Sequence, residues 1–311
     1  MKPFINALAI IWSILFPSAA PVLAQVNVVA SFSILADMTR EIGGDRVSVT
    51  SLVGPNSDAH AFQPTPDDAR RIAHANLVVV NGLGFEGWLN RLVRASGTRA
   101  SVITASTGIE VLLMEEEEEH KAAERMRRKV IKPAKVDDPH AWQSLANGRV
   151  YATNIAKALI ELDPPNATHY RQRLDAYLSE LTALDEWVRR ELSRIPAEHR
   201  KVITSHDAFR YFGRTYGIAF LAPQGVSTDS EPSSGDIANL IQQIRRNDIK
   251  AIFIENISDR RIIDQLTRET GTTVGGTLYS DALSAANGPA ATYIAMFRHN
   301  VALIVSAIRK N

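Results

Sequence analysis

Cysteine is absent from all 311 residues. Its absence excludes thiolate metal sites, disulfide staples, CxxC redox chemistry and a cysteine nucleophile, and it leaves no N-terminal cysteine to carry a lipid. A charge surplus is missing too, since 35 lysines and arginines stand against 34 aspartates and glutamates. So balanced a chain offers no clustered basic field for nucleic acid or another polyanion. Beyond the N-terminus no stretch approaches the ~20 apolar residues that a bilayer-spanning helix needs. Nor is there an HExxH pattern, the helix-borne zinc site of many metallopeptidases.

What is present begins with an export leader. Lys2 supplies a short positive region, Phe4 to Phe16 is almost wholly apolar, and Val22-Leu23-Ala24 offers small residues for cleavage before Gln25. Residues 1–24 are therefore expected to be removed as a signal peptide, leaving a soluble, unlipidated periplasmic protein. A chain of the remaining length can build two ordinary domains without disulfides.

Short β-rich runs then alternate with amphipathic stretches, the pattern of βα units around a mainly parallel sheet. The first half offers Val26–Phe32, Val47–Val53, Leu77–Asn81 and Ala100–Ala105. The second offers Lys201–Thr204, Ile218–Ala222, Ala251–Glu255 and Thr273–Leu278. Val28-Val29-Ala30-Ser31 and Val202-Ile203-Thr204-Ser205 open the two halves as a faint internal echo. Between them, Asp163-Pro164-Pro165-Asn166 signals a helix start. Tyr170, Leu174, Tyr177, Leu181, Leu184, Val188 and Leu192 follow at helical spacing, and Pro196 ends the run. Roughly 28 helical residues would reach ~42 Å, a rigid strut rather than a flexible hinge. The expected organisation is an α/β lobe over 25–163, a linking helix over 164–197 and a second α/β lobe over 198–311, in a monomer.

The histidines carry the chemistry, because a divalent transition metal without thiolates must use imidazole and carboxylate. His60, His140 and His206 each sit in a loop beyond a predicted strand or in an insertion between βα units, and Asp281 holds an equivalent place after the last strand. Ligands of open parallel sheets bind at the carboxyl ends of strands, so these loops are placed to converge on one cleft. His74, His169, His199 and His299 lie on or beside helices without a partner at ligand spacing, and read as surface or hydrogen-bonding residues. Glu115–Glu119 with His120 and the basic residues after it read as a solvated insertion, with a loop that gathers cations and hands them inward as the alternative.

Pro55-Asn56-Ser57-Asp58-Ala59-His60-Ala61-Phe62-Gln63-Pro64-Thr65-Pro66 resembles a signature of the solute receptors of zinc and manganese ABC transporters. The similarity continues through Asn81–Leu89, Asp138–Trp142, Ser205–Phe209, Glu231–Ser233, Ala251–Glu255 and Asp281–Leu283. It implies two lobes joined by one long helix, with a metal at their interface held by His60, His140, His206 and Asp281. It also implies a membrane permease as partner, with a periplasmic metallochaperone as a further candidate; four ligands closing the site and the lack of an HExxH helix point away from enzymatic activity. Zinc receptors of this family often carry a histidine-rich loop before the second ligand, and many carry a cysteine pair; both are missing here.

Manganese and iron receptors of the family tend to place a carboxylate at the third ligand position, where this chain has His206. Three imidazoles and one carboxylate suit tetrahedral Zn²⁺, one per chain. A manganese receptor or a metal-bearing surface adhesin shares the fold. A zinc hydrolase fits less well, because four protein ligands leave no open position for water. Asp229 and Glu231, the two spare carboxylates of the second half, read as loop-capping or metal-supporting residues.

Overall fold

The computed structural model describes residues 25–115, 135–229 and 231–311. The leader, and residues 116–134 with most of the glutamate run and His120, lie outside the described residues.

All eight strands read from the sequence form, and each half closes its own parallel sheet. In the first, β1 (Val26–Phe32) lies between β2 (Val47–Val53) and β3 (Leu77–Val80), with β4 (Ser101–Thr104) beyond, giving the order β2-β1-β3-β4. Val28 faces Val49 on one side and Leu77 on the other, so β1 is central and apolar along most of its length. In the second sheet β7 (Lys201–Ile203) lies between β8 (Ala219–Leu221) and β9 (Ile252–Glu255), with β10 (Val274–Leu278) beyond β9. Read in their own chain order, both sheets run second, first, third, fourth. The internal echo is therefore a repeated topology, and each repeat has a switch point beside its first strand, where loops part to either side.

A feature not foreseen is a small antiparallel pair, β5 (Leu113–Glu115) with β6 (Lys135–Asp137), which brackets residues 116–134. It delivers the chain to His140.

Helices α1 (Ser33–Gly43), α2 (Pro66–Ala73), α3 (Leu89–Ser96) and α4 (Leu145–Leu162) accompany the first sheet. With the second go α6 (Arg210–Tyr216), α7 (Ser234–Asn247), α8 (Arg261–Thr270) and α9 (Tyr293–Ile308). Between them runs α5 (Ala167–Ser193), whose 27 residues make a rod of about 40 Å. Pro164 and Pro165 form a 3₁₀ turn ahead of it, as prolines with no N–H to donate do at a helix start. Its buried stripe of Tyr170, Tyr177, Leu181, Leu184, Val188 and Leu192 packs on α1 and α4 of one lobe and on α6 and α9 of the other.

The lobes do not merely touch. One apolar core runs from β1 through α1, α4, α5 and α9 to Phe209, Phe212 and Leu278 of the second lobe. A smaller one lies on the second sheet beneath α7 and α8. Gly148 of α4 permits the close approach, because a Cβ there would stand 2.7 Å from the hydroxyl of Tyr293 on α9. That hydroxyl donates to the carbonyl of Trp142. Across the same interface the Asp37 carboxylate accepts the Tyr293 N–H at 2.7 Å, which satisfies an otherwise orphaned donor in the first turn of α9. Among the described residues no helix is long and apolar enough to cross a membrane.

Candidate metal centre

His60 sits in the loop from β2 to α2. A capping box closes the far end of that loop: Thr65 accepts from the Asp68 N–H, Asp68 accepts from the Thr65 N–H, and Pro66 begins the helix. Within the loop, the His60 N–H donates to Asp58 at 2.9 Å and the Trp88 indole donates to the Ala59 carbonyl at 2.8 Å. Phe85 packs edge-on against the imidazole, with ring centroids 4.7 Å apart.

His140 follows β6 and is wholly buried. A single oxygen of Asp138 accepts both its backbone N–H, at 3.0 Å, and its Nδ1, at 2.9 Å. The segment is then tied to the other lobe, because Trp142 Nε1 and Gln143 Nε2 both donate to the carbonyl of Ser280, the residue before Asp281.

His206 leaves the end of β7. Glu255, at the end of neighbouring β9, accepts the backbone N–H groups of Ser205 and His206 at 2.8 and 2.9 Å. Its second oxygen lies 2.6 Å from His206 Nδ1.

These three histidines and Asp281 are brought together from four separate loops, and one donor atom from each lies within 4.8 Å of all the others. His60 Nε2 is 3.3 Å from His140 Nε2 and 3.3 Å from Asp281 Oδ2. His206 Nε2 is 3.1 Å from Asp281 Oδ2, and His140 Nε2 is 3.6 Å from Asp281 Oδ1. Bonds of about 2.0–2.2 Å to a central tetrahedral ion would space the donors about 3.4 Å apart. The donor set fits a cation on three further counts. Asp281 Oδ1 is buried with no hydrogen-bond partner. Asp138 and Glu255 engage the Nδ1 atoms of His140 and His206, which leaves Nε2 of each to turn inward with its lone pair. And with protons in place of a cation, the charges already attract. Burial alone would lower the pKa of His140, yet Asp281 and Asp138 together push it up to about 9. His206 is raised in the same way by Glu255 and Asp281, and the two imidazoles hold the Asp281 carboxyl well below its ordinary value despite burial.

Three of the histidines read as surface or hydrogen-bonding residues make such bonds with their rings. His74 Nδ1 is 2.7 Å from the Arg70 carbonyl, His169 Nε2 3.1 Å from the Gly43 carbonyl and His299 Nε2 3.0 Å from the Thr277 carbonyl. Asp229 and Glu231 are exposed, bonded to Ser227 and paired with Arg261 respectively. Asp138, Glu255 and Phe85 stand in segments singled out above without a role of their own. A local signal existed for Asp138, because Asp58-Ala59-His60 and Asp138-Pro139-His140 share an aspartate two residues before the histidine.

The family model described as "Zinc-uptake complex component A periplasmic" (ZnuA) matches residues 28–307. The metal ABC transporter substrate-binding lipoprotein SsaB of Streptococcus sanguinis is 30% identical over 293 residues, 92% of this chain and 90% of its own. The manganese-binding lipoprotein MntA of Halalkalibacterium halodurans is 32% identical, over 91% of this chain and 88% of its own. Among solved structures, the periplasmic zinc binding protein TroA from Treponema pallidum superimposes with a TM-score of 0.82 at 30% identity, covering 92% of this chain and 99% of its own. The Mn-bound periplasmic metal binding protein from Candidatus Liberibacter asiaticus gives 0.77 at 31%, covering 91% and 100%.

Proposed function

Because the chain belongs to the ZnuA family of metal ABC transporter substrate-binding proteins, we propose that it is the zinc receptor of such a transporter, binding one Zn²⁺ through His60, His140, His206 and Asp281. The observation that carries zinc is the donor set. Three borderline imidazoles and one carboxylate make a four-ligand site suited to tetrahedral Zn²⁺, whereas Mn²⁺ favours more oxygen and higher coordination. Two imidazoles in this set are braced by carboxylates, which orients them and raises their basicity.

The cargo is handed to a membrane permease, with a periplasmic metallochaperone as a candidate donor to the site. The protein works as a soluble monomer outside the cytoplasm, and it is not an enzyme, since the four ligands leave no open position for a reacting water. A manganese receptor is the second reading, favoured by several relatives that are manganese-binding lipoproteins, MntA among them.

Deleting the gene in its host and restricting each metal in turn separates the two. Under the zinc reading, growth fails on zinc chelation and recovers with added zinc. Recovery with manganese alone would establish the second reading. Titration of the apo-protein should saturate at one equivalent of tight zinc, and the double variant His60→Ala, His140→Ala should lose that binding.

A further inference from the structure

Of the four proposed ligands, only His60 retains any exposure: its side chain is 5% exposed, against 0% for Asp281, His140 and His206. The centre therefore meets solvent at the His60 edge. A stretch of the second lobe, residues 224–229, that belongs to no helix or strand element is tied to the loop that carries His60. One end of the stretch is fixed to the His206 segment, through a bridge between His206 and Gln224 and through the Asp207 N–H donating to the Gly225 carbonyl at 3.1 Å. At the other end the Thr228 hydroxyl donates at 2.6 Å to Asp58 Oδ2, in the first lobe. Asp58 Oδ1 is the atom that accepts the His60 N–H. One carboxylate thus joins a ligand's backbone to the opposite lobe.

The His60 loop is tied to that lobe at Asn56 as well, where the Asn256 side-chain amide donates to Asn56 Oδ1 at 3.1 Å and the Asn56 N–H donates to the Leu283 carbonyl at 2.9 Å. The latter bond is backbone to backbone, so it acts as a fixed base. Thr228 to Asp58 is a bond between two side chains, and it can open without disturbing either lobe's core.

We propose that Thr228 is a positioning residue for His60, and that its bond to Asp58 clasps the 224–229 strap over the open edge of the metal centre and sets the rate of metal exchange. The inference rests on the metal-receptor reading. With the clasp shut, metal leaves only if His60 lets go beneath a fixed strap. With it open, the strap and the His60 loop separate and water reaches the site.

Release of Co²⁺ from the loaded protein into excess chelator, followed by stopped-flow absorbance, tests this. Thr228→Val, which keeps the shape and removes the donor, should release metal about tenfold faster, the factor that one hydrogen bond to a charged group is worth. Thr228→Ser should behave as the natural protein. The ligand-field spectrum of bound Co²⁺ should be unchanged in both, showing an intact ligand set. Asp58→Ala should also speed release, and adding Thr228→Val to it should change nothing more. Metal binding with an unaltered release rate in Thr228→Val, or additive effects in the double variant, would overturn the clasp alone. A natural protein that holds no metal tightly would defeat the receptor reading, and the clasp with it.

Discussion

His206 Nδ1 lies 2.6 Å from the Glu255 carboxylate, and the same carboxylate receives the backbone N–H of His206. Glu255 thus holds a proposed ligand by both main chain and ring, from the strand beside it. Glu255→Gln keeps the shape but removes the charge that makes the imidazole a better donor. It should weaken zinc 10–100-fold. Competition against a chromophoric chelator measures this, and undiminished affinity would mean that other contacts orient His206.

His206→Glu should shift preference from zinc toward manganese. The set becomes two imidazoles and two carboxylates, harder and richer in oxygen. The ratio of the two dissociation constants, taken by competition, is the readout. An unchanged ratio would place selectivity in the cavity's geometry instead.

Zinc and pH should act on stability in opposite senses. The pKa of His140 is raised to about 9, so its ion pair with Asp281 and Asp138 supports the metal-free fold fully below its unfolded pKa of about 6.5. That support is lost as pH rises through about 9. The depressed Asp281 contributes above its unfolded value and loses its contribution only as pH falls through the lower folded one. The metal-free protein should therefore melt at falling temperatures between about pH 6.5 and 9. Zinc binding requires the imidazoles to shed their protons, so the zinc-induced rise in melting temperature should grow over the same range and shrink toward pH 5. At a thousandfold excess over Kd the added stability is about 4 kcal/mol. Calorimetry with and without zinc across pH checks both slopes. A zinc increment independent of pH would exclude imidazole ligation.

Excising residues 116–134 should leave equilibrium zinc affinity within about twofold, because none of the proposed ligands lies there. Leu113 pairs with Asp137 and Glu115 with Lys135, so the cut ends already lie side by side and an Asn-Gly turn can join them. Isothermal titration of the shortened protein reads this out. A large loss would put His120 or the glutamates in the primary site, whereas slower loading at low zinc would assign them to capture.

Closure on zinc should be small. A core continuous across the lobes and a helix packed on both couple the lobes and oppose a wide domain rotation. Small-angle scattering should find nearly equal radii of gyration with and without zinc. A drop of several ångströms would show that α5 bends.

The elements were legible because their signals are local. Alternation and β-branching mark each strand, a 3.6-residue stripe marks α5, and Thr65-Pro66 marks a helix start whose cap needs residues only three apart. The candidate ligands were legible by type, since a chain without cysteine has only imidazole and carboxylate to offer. Even the Asp138 contact was written locally, in an aspartate two residues from its histidine. The β5–β6 pair was not, because three-residue strands around a long insertion carry too little periodicity to read.

The sequence by itself determined two βα repeats, one long helix and a set of ligand types after strands. Only the tertiary structure decided that the four loops meet. Their meeting depends on the strand order within each sheet and on the interface built by Gly148, Tyr293 and Asp37. Glu255 reaches His206 across 49 residues and Thr228 reaches Asp58 across 170, and neither contact leaves a trace in its neighbours along the chain. Local pattern sets backbone angles and the buried face, but contacts between distant segments exist only once whole sheets and lobes have packed.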